Sequence, residues 1–519
     1  MSDLHSPSEQ SASPHFEDVV RERITRRGAL QALVVLGGGA AATLATSGAA
    51  QAAPGYAPGE LTFDALPLNT ADQISLSPGF KHDVIISWGD PVVPGAPAFD
   101  VDNQTAGAQA QQFGFNNDYI DYIPLSDRPG RPQRGLLFVN HEYTSANMMF
   151  PGVTAAFPKP TWPATTAEQK RIEIEAHGAS IVEVALNGNT WSYDPSSPYN
   201  RRITATTPMT ITGPVAGNVH MRTNADPTGT SVKGMLNNCG GGSTPWGNTL
   251  TAEENFDQYF SNLTGLITAA GAETDPAIKA LKQYAANNAS VFGIPVGPSG
   301  RGWETVDSRF DMRQEWNEPF RFGWIVEIDP LDPTSMPKKR TALGRFKHEA
   351  AAGVTAPNGQ YVVYMGDDQR NQYIYKFVSS GTVQADRAAN DGLLDSGTLY
   401  VAVYNADGTG TWKPLVFGTD PLVSPAFEDQ ADVLIRTRGA ATLLGGTPMD
   451  RPEDVEVSPT SGYIYAAMTG TSRAVANAAN PRKDGIADPD SARGGHIIEM
   501  RESNGDHTGT TFTWEIFML

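Results

Sequence analysis

The 519-residue chain holds a single cysteine, Cys239, so no internal disulfide can brace it. A lone thiol outside the cell is open to oxidation unless burial or a metal protects it. Spacing alone leaves both readings of Cys239 standing, an inert buried thiol or a ligand. Basic residues are scarce: 38 Lys and Arg stand against 57 Asp and Glu, a net charge of -19. Such a surface repels phosphate backbones and anionic lipid, which excludes nucleic acid and acidic membranes as partners. The carboxylate excess is either plain solubility or a supply of hard oxygen donors for calcium. Long apolar runs are missing after the first 52 residues, so no membrane span is expected in the mature chain. No Gly-x-Ser-x-Gly segment occurs, which removes the serine hydrolases built on that elbow.

Glycine (52) and proline (38) are abundant, and hydrophobic residues make up 39% of a chain that is 18% charged. That is the composition of a globular protein with many turns. At the start, Thr25-Arg26-Arg27-Gly28-Ala29-Leu30 leads into an apolar run through Ala45, and Ala50-Gln51-Ala52 follows. The order matches a twin-arginine secretory signal with a small-x-small cleavage site over residues 1–52. An uncleaved anchor is the other reading, but the run is rich in Gly and Ala and short for a span. Residues 53–519 are then expected to form one domain, exported through the twin-arginine machinery to the periplasm, the cell surface or the medium, as a monomer.

Strand-like runs recur at Gly135–Asn140, Ala179–Leu186, Gly323–Asp329, Gln360–Met365, Gln372–Val378, Thr398–Tyr404, Gly462–Met468, Gly495–Met500 and Thr511–Phe517. Turn chemistry such as Pro357-Asn358-Gly359 and Asp407-Gly408 separates them. Residues 54–127 read as extended and loop-rich. Repeated strand–turn units over this length predict an all-β protein, a propeller or a large sandwich. Helices are expected from the capping-box spacing at Thr165–Glu168 to about His177, and from Asp275-Pro276 to about Asn287. Thr251–Glu254 has capping-box spacing too, and opens a helical insertion over about 251–302.

Five segments place metal-competent side chains beside strands. They are Asn140-His141-Glu142, Asn237 to Asn255 around Cys239, Arg345 to Glu349, Gly366-Asp367-Asp368 and Asp450 to Asp454. Carboxylates to hold cations and an arginine to grip an oxyanion are what phosphoryl transfer requires. Each residue also has a local explanation. Glu142 suits a strand end, Glu254 a capping box, and Asp367-Asp368 a turn. Glu349 could pair with Lys347 or His348 on the surface, and Arg451 with Glu453 across Pro452.

The strings Asn238-Cys239, Thr244-Pro245-Trp246-Gly247 and Glu253-Glu254-Asn255 resemble the signature of the PhoX-type alkaline phosphatases. The similarity extends to Phe113–Tyr119, Asn140–Thr144, Arg321–Trp324, Thr341–Glu349, Tyr364–Asp368 and Arg451–Asp454. The resemblance implies a six-bladed β-propeller with small helical insertions and an Fe(III)–Ca2+ cluster at one mouth. It implies Cys239, Glu349 and Glu453 as metal ligands, with one of Glu253 and Glu254, of which Glu254 is preferred. Glu142 and Asp367 or Asp368 are calcium or neighbouring positions, and Arg451 is the residue that holds the phosphate of a monoester substrate. The family usually runs further than Leu519, so the last blade is expected to be incomplete. Two other readings stay open: a different calcium-dependent propeller hydrolase, such as a lactonase or phosphodiesterase, and a non-catalytic ligand-binding propeller.

Overall fold

The computed structural model describes residues 66–67, 69–125, 133–154, 165–470, 477–480 and 495–518. The twin-arginine segment predicted over residues 1–52 lies outside them. Contacts divide the chain into two units, Met1–Asp83 with Met518, and Val84–Phe517 with Leu519. Every candidate site residue belongs to the second.

That second unit is mostly β. The first sheet runs Asn117–Pro124, Arg134–His141, Gly178–Asn187 and Thr190–Tyr193, with Arg201–Ile203 also paired to the third of these. The second runs Ser231–Lys233, Pro208–Thr212, Lys338–Arg340, Ile325–Ile328, Thr249–Glu253 and Asn238–Ser243. The third has nine strands, from Ala352–Thr355 through Gln360–Gly366, Ile374–Thr382, Gly397–Tyr404, Thr409–Pro414, Thr511–Met518, His496–Glu502 and Ile464–Met468 to Pro452–Val457. Its two ends come together, because Gly366 lies against the backbone carbonyls of Pro452 and Glu453. The sheet is therefore nearly closed and barrel-like, which shields its edges from further pairing. Arg370–Gln372 and Met449–Asp450 form a small fourth ladder.

The strands form where the sequence is apolar on both faces. Leu136, Phe138 and Val139 are buried, as are Tyr361 to Met365, so these runs lie inside the protein rather than on a wetted sheet. Asp275 caps the helix Pro276–Ser290 by accepting from Ala277 N and Ile278 N, as expected from Asp275-Pro276. The capping box of Ala167–Ala176 uses Thr166 and Gln169, one residue later than the Thr165–Glu168 reading. Among the described residues no helix is long and apolar enough to cross a membrane.

Two differences from the sequence reading have clear causes. Thr251–Glu254 does not open a helix: Thr249–Glu253 is a strand paired on both sides, by Ile325–Ile328 and Asn238–Ser243. Two ladders of backbone hydrogen bonds outweigh a local capping preference. The helices of that region begin later, at Leu263–Ala272 and Pro276–Ser290. Residues 54–127 include the strand Asn117–Pro124, whose exposed positions hid its pattern.

Two features of the second sheet bring distant acidic residues together. The Gly240-Gly241-Gly242 run lets Asn238–Ser243 press on the start of the third sheet. A methyl group at Gly240 would overlap the carbonyl oxygen of Glu349, and one at Gly242 that of Ala351. Beneath, Lys339 Nζ pairs with Glu253 Oε1 at 2.7 Å, and neither side chain is exposed. Lys339 Nζ also donates to Arg321 O at 2.9 Å and sits 3.7 Å from the Phe322 ring centre.

Lys339→Met is expected to destabilise the protein by about 3–5 kcal/mol, because it strands the Glu253 charge in the interior. Denaturant unfolding of the purified variant measures it. Gly240→Ala is expected to force the two sheets apart at Glu349 and lower stability, read as a lower denaturation midpoint beside wild type.

Candidate metal centre

Cys239 lies just inside the strand Asn238–Ser243, at an irregularity between Asn238 and Gly241. It is 1% exposed. Its Sγ stands 3.4 Å from the His348 carbonyl and 3.3 Å from Glu349 Oε2. Glu349 is delivered by the extended segment that the glycine run admits, and its amide donates to Gly366 O at 3.3 Å. Glu254 is the residue after the strand Thr249–Glu253, with its amide held by Asn237 O at 3.1 Å. One donor atom each from Cys239, Glu254 and Glu349 lie within 4.8 Å of one another.

More acids surround this trio. Asp368 is buried; its Oδ2 accepts from Arg451 Nη2 at 2.5 Å, and its Oδ1 meets no donor among the described residues. Arg451 also reaches Glu453 Oε1 at 3.1 Å, the local pair expected across Pro452. Its backbone has φ of +60°, a left-handed conformation that is rare for arginine and disfavoured before proline. Strain of this kind persists only where the surroundings impose it, and here it aims a partly exposed guanidinium over Asp368. Glu142 follows the first-sheet strand Arg134–His141, and its Oε2 accepts from Asn116 Nδ2 at 2.9 Å.

The electrostatics show what this assembly lacks. Burial pushes the Cys239 thiol well up, and the charges of Glu349 and Glu254 push it further. Glu254 and Glu349 are each driven well above the usual carboxylate range, first by burial and then by like charge, including that of Asp368. Glu142 is pushed up to about 7 by burial and by the neighbouring Asp118 carboxyl, against the pull of Arg301. Glu453 is raised as well, mainly by burial. Acids packed this way cannot all ionise alone, and a thiol beside carboxylates stays protonated. Cations reverse that sign, turning the thiol into a thiolate and the acids into ligands. The unsatisfied Asp368 oxygen and the mixed donor set fit such cations. Sulfur suits a transition metal and the carboxylate oxygens suit calcium.

The two ambiguous pairs separate because neighbouring residues in extended backbone face opposite ways. Glu254 and Asp368 join the centre. Glu253 does not: its carboxylate is taken by Lys339 and by the amides of Leu236, Gly323 and Trp324. Asp367 is likewise occupied, by Arg438 through Nη2 at 2.5 Å and Nε at 2.8 Å. Glu349 makes no surface pair: Lys347 bonds Asp257 and the His348 ring bonds Gly344 O. Sequence reasoning missed Asp118, whose charge acts on Cys239, Glu142, Glu349 and Glu453. The signal available was the Phe113–Tyr119 string of the family resemblance, which holds Asp118 at the start of the strand Asn117–Pro124 but was not singled out as an acid of the site.

The family model described as alkaline phosphatase PhoX matches residues 61–519. No curated protein matches the chain. Among solved structures, Pseudomonas fluorescens PhoX in complex with vanadate, a transition state analogue, superposes with a TM-score of 0.75. It is 39% identical, and the match covers 88% of this chain and 75% of that one. The chain is a phosphatase and belongs to the PhoX alkaline phosphatase family.

Proposed function

We propose that the protein is an exported alkaline phosphatase that hydrolyses phosphate monoesters at an iron–calcium centre on one mouth of a six-bladed β-propeller. The observation that carries this reading is the trio of buried Cys239 and Glu254 with half-buried Glu349, donor atoms within 4.8 Å of each other, beside the strained Arg451. The family likeness supports the propeller, the metals and the monoester. The sequence of residues 1–52 supports export by the twin-arginine route, with cleavage leaving a monomer in the periplasm, at the cell surface or outside.

Cys239, Glu254 and Glu349 would hold the iron, and Asp368, Glu453, Glu142 and Asp118 would offer oxygens for calcium. When bound, these cations neutralise the phosphoryl oxygens and activate the attacking oxygen. The chain's own work is positional. Arg451 keeps its guanidinium poised through Asp368 and Glu453, and can turn N–H donors to a phosphate oxygen as substrate enters. Buried walls of Phe346 and Trp324 keep the ligand segments rigid. The acidic rim disfavours polyanionic substrates and leaves a single phosphate as the group the cations can accept.

Arg451→Ala is expected to lower turnover of p-nitrophenyl phosphate on the order of 10²-fold while metal content stays at the wild-type level. Unchanged turnover removes Arg451 from the phosphate site. A colourless wild-type protein without iron by elemental analysis, and indifferent to a calcium chelator, overturns the whole reading. Because the acids are held above their usual range, cation binding must displace protons. Calcium affinity of chelator-stripped protein should therefore climb between about pH 5.5 and 8, with Glu142 pushed up to about 7 setting the middle of that climb. Calorimetry in buffers of different ionisation heat measures the protons released.

A further inference from the structure

One oxygen of Glu254 is already tied down, which fixes the rotation of its carboxylate. Asn255 Nδ2 donates to Glu254 Oε1 in a short hydrogen bond. The amide that makes this bond cannot turn over. Its Oδ1 accepts from Lys347 Nζ at 3.1 Å, and an ammonium group has no acceptor to offer Nδ2 in exchange. Lys347 is in turn fixed by Asp257, whose Oδ1 lies 2.7 Å from Nζ. The Lys347 and Asp257 side chains are only 10% and 14% exposed, so water competes weakly for these bonds. The Asn255 backbone is clamped as well, its amide donating to Asn237 Oδ1 at 2.7 Å. Asn237 has φ of +52°, in the left-handed region, and its side chain also donates to Glu142 O at 3.3 Å.

Lys347 touches the centre from a second direction. Its backbone carbonyl accepts from the Asp368 amide at 3.0 Å. One residue therefore fixes Asp368 through its main chain and Glu254 through its side chain and Asn255. The local explanation, a buried ion pair that merely stabilises a turn, accounts for Lys347–Asp257. It does not account for an amide locked with its donor on a carboxylate of the metal-binding trio.

We propose that Asn255 and Lys347 are positioning residues that hold Glu254 as a one-oxygen ligand of the metal that binds Cys239. With Nδ2 on Oε1, the carboxylate is held in one rotation and Oε2 is the freer oxygen, which would favour binding through that oxygen. Without Asn255 the carboxylate swings freely and can chelate through both oxygens, filling the position a substrate oxygen needs. The idea rests on the proposed metal centre. Partners of metal ligands in this position are worth roughly 10–100-fold in affinity or activity when removed.

The test uses purified holoenzyme and compares wild type, Asn255→Ala, Asn255→Asp, Lys347→Met and Lys347→Gln. Three quantities are read: metal per chain, the visible thiolate-to-metal absorption band, and kcat and KM separately. The expected result is a shifted band and a kcat reduced about 10–100-fold in Asn255→Ala and Lys347→Met, with KM changed much less; the melting temperature stays near wild type in Asn255→Ala and falls in Lys347→Met, which leaves Asp257 unpaired. Lys347→Gln, which can still donate to Asn255 Oδ1, should restore most of the loss. Asn255→Asp keeps the volume but sets a carboxylate against Glu254, and should shift the band as far as Asn255→Ala. A wild-type band with Asn255→Ala and Asn255→Asp superimposable on it in position and kcat overturns the inference while leaving the metal centre intact. Absence of any band in wild type overturns the metal reading instead. Should Asn255→Ala fail to fold, the Lys347→Met and Lys347→Gln pair decides: equal spectra and equal kcat overturn the proposal.

Discussion

Uncompensated negative charge is the constraint around which this protein is arranged. Cys239, Glu254, Glu349 and Asp368 are forced together in a region that water barely enters, with Glu142, Asp118 and Glu453 at its margin. The charges of Glu349 and Glu254 raise the Cys239 thiol, and that of Asp368 raises the Glu254 and Glu349 carboxyls. Without cations the cluster survives only by staying protonated, and with them it becomes a set of strong ligands. Burial that would be costly for an ordinary surface acid is what the proposed cations would offset here.

The rest of the architecture holds that tension in place. Three separate sheets each send residues inward: Glu142 from the first, Cys239 and Glu254 from the second, Glu349, Asp368 and Glu453 from the third and its approach. Glycines remove the side chains that would keep the second and third sheets apart at Glu349. Cationic residues stand one step behind the ligands. Lys339 takes Glu253, Arg438 takes Asp367, and Lys347 takes Asp257, so each fixes a neighbour of a ligand without neutralising the ligand itself. These three cations thus serve position, and the positive charge that reaches the centre's own acids comes from Arg451 on Asp368 and Glu453.

Much of this was readable from the residues, and the failures have physical reasons. Apolar runs such as Leu136–Val139 and Tyr361–Met365 announce buried strands because no competing local signal, cap or turn, lies within them. Asp275-Pro276 announces a helix start for the same reason. Thr251–Glu254 misleads, since its local signal is a helix cap, whereas the strand Ile325–Ile328 that pairs it is distant in sequence. The pairs Glu253/Glu254 and Asp367/Asp368 show the limit well. Alternation says that the members of each pair face apart, but only the positions of Lys339 and Arg438 say which member faces the centre. Asp118 escaped notice because its strand has no buried position and carries no apolar rhythm.

The order of strands in the third sheet has a consequence for how the enzyme is made. Pro452–Val457 joins that sheet through Ile464–Met468, His496–Glu502 and Thr511–Met518, the last of which is stitched to Thr409–Pro414. A ribosome delivers Cys239, Glu254 and Glu349 long before it delivers the strand at 511–518. The sulfur-bearing pocket can therefore assemble on the nascent polypeptide, whereas the Arg451–Glu453 wall gains its full support only when translation is almost over. Vectorial synthesis thus separates assembly of the Cys239 pocket from completion of the wall that carries Arg451.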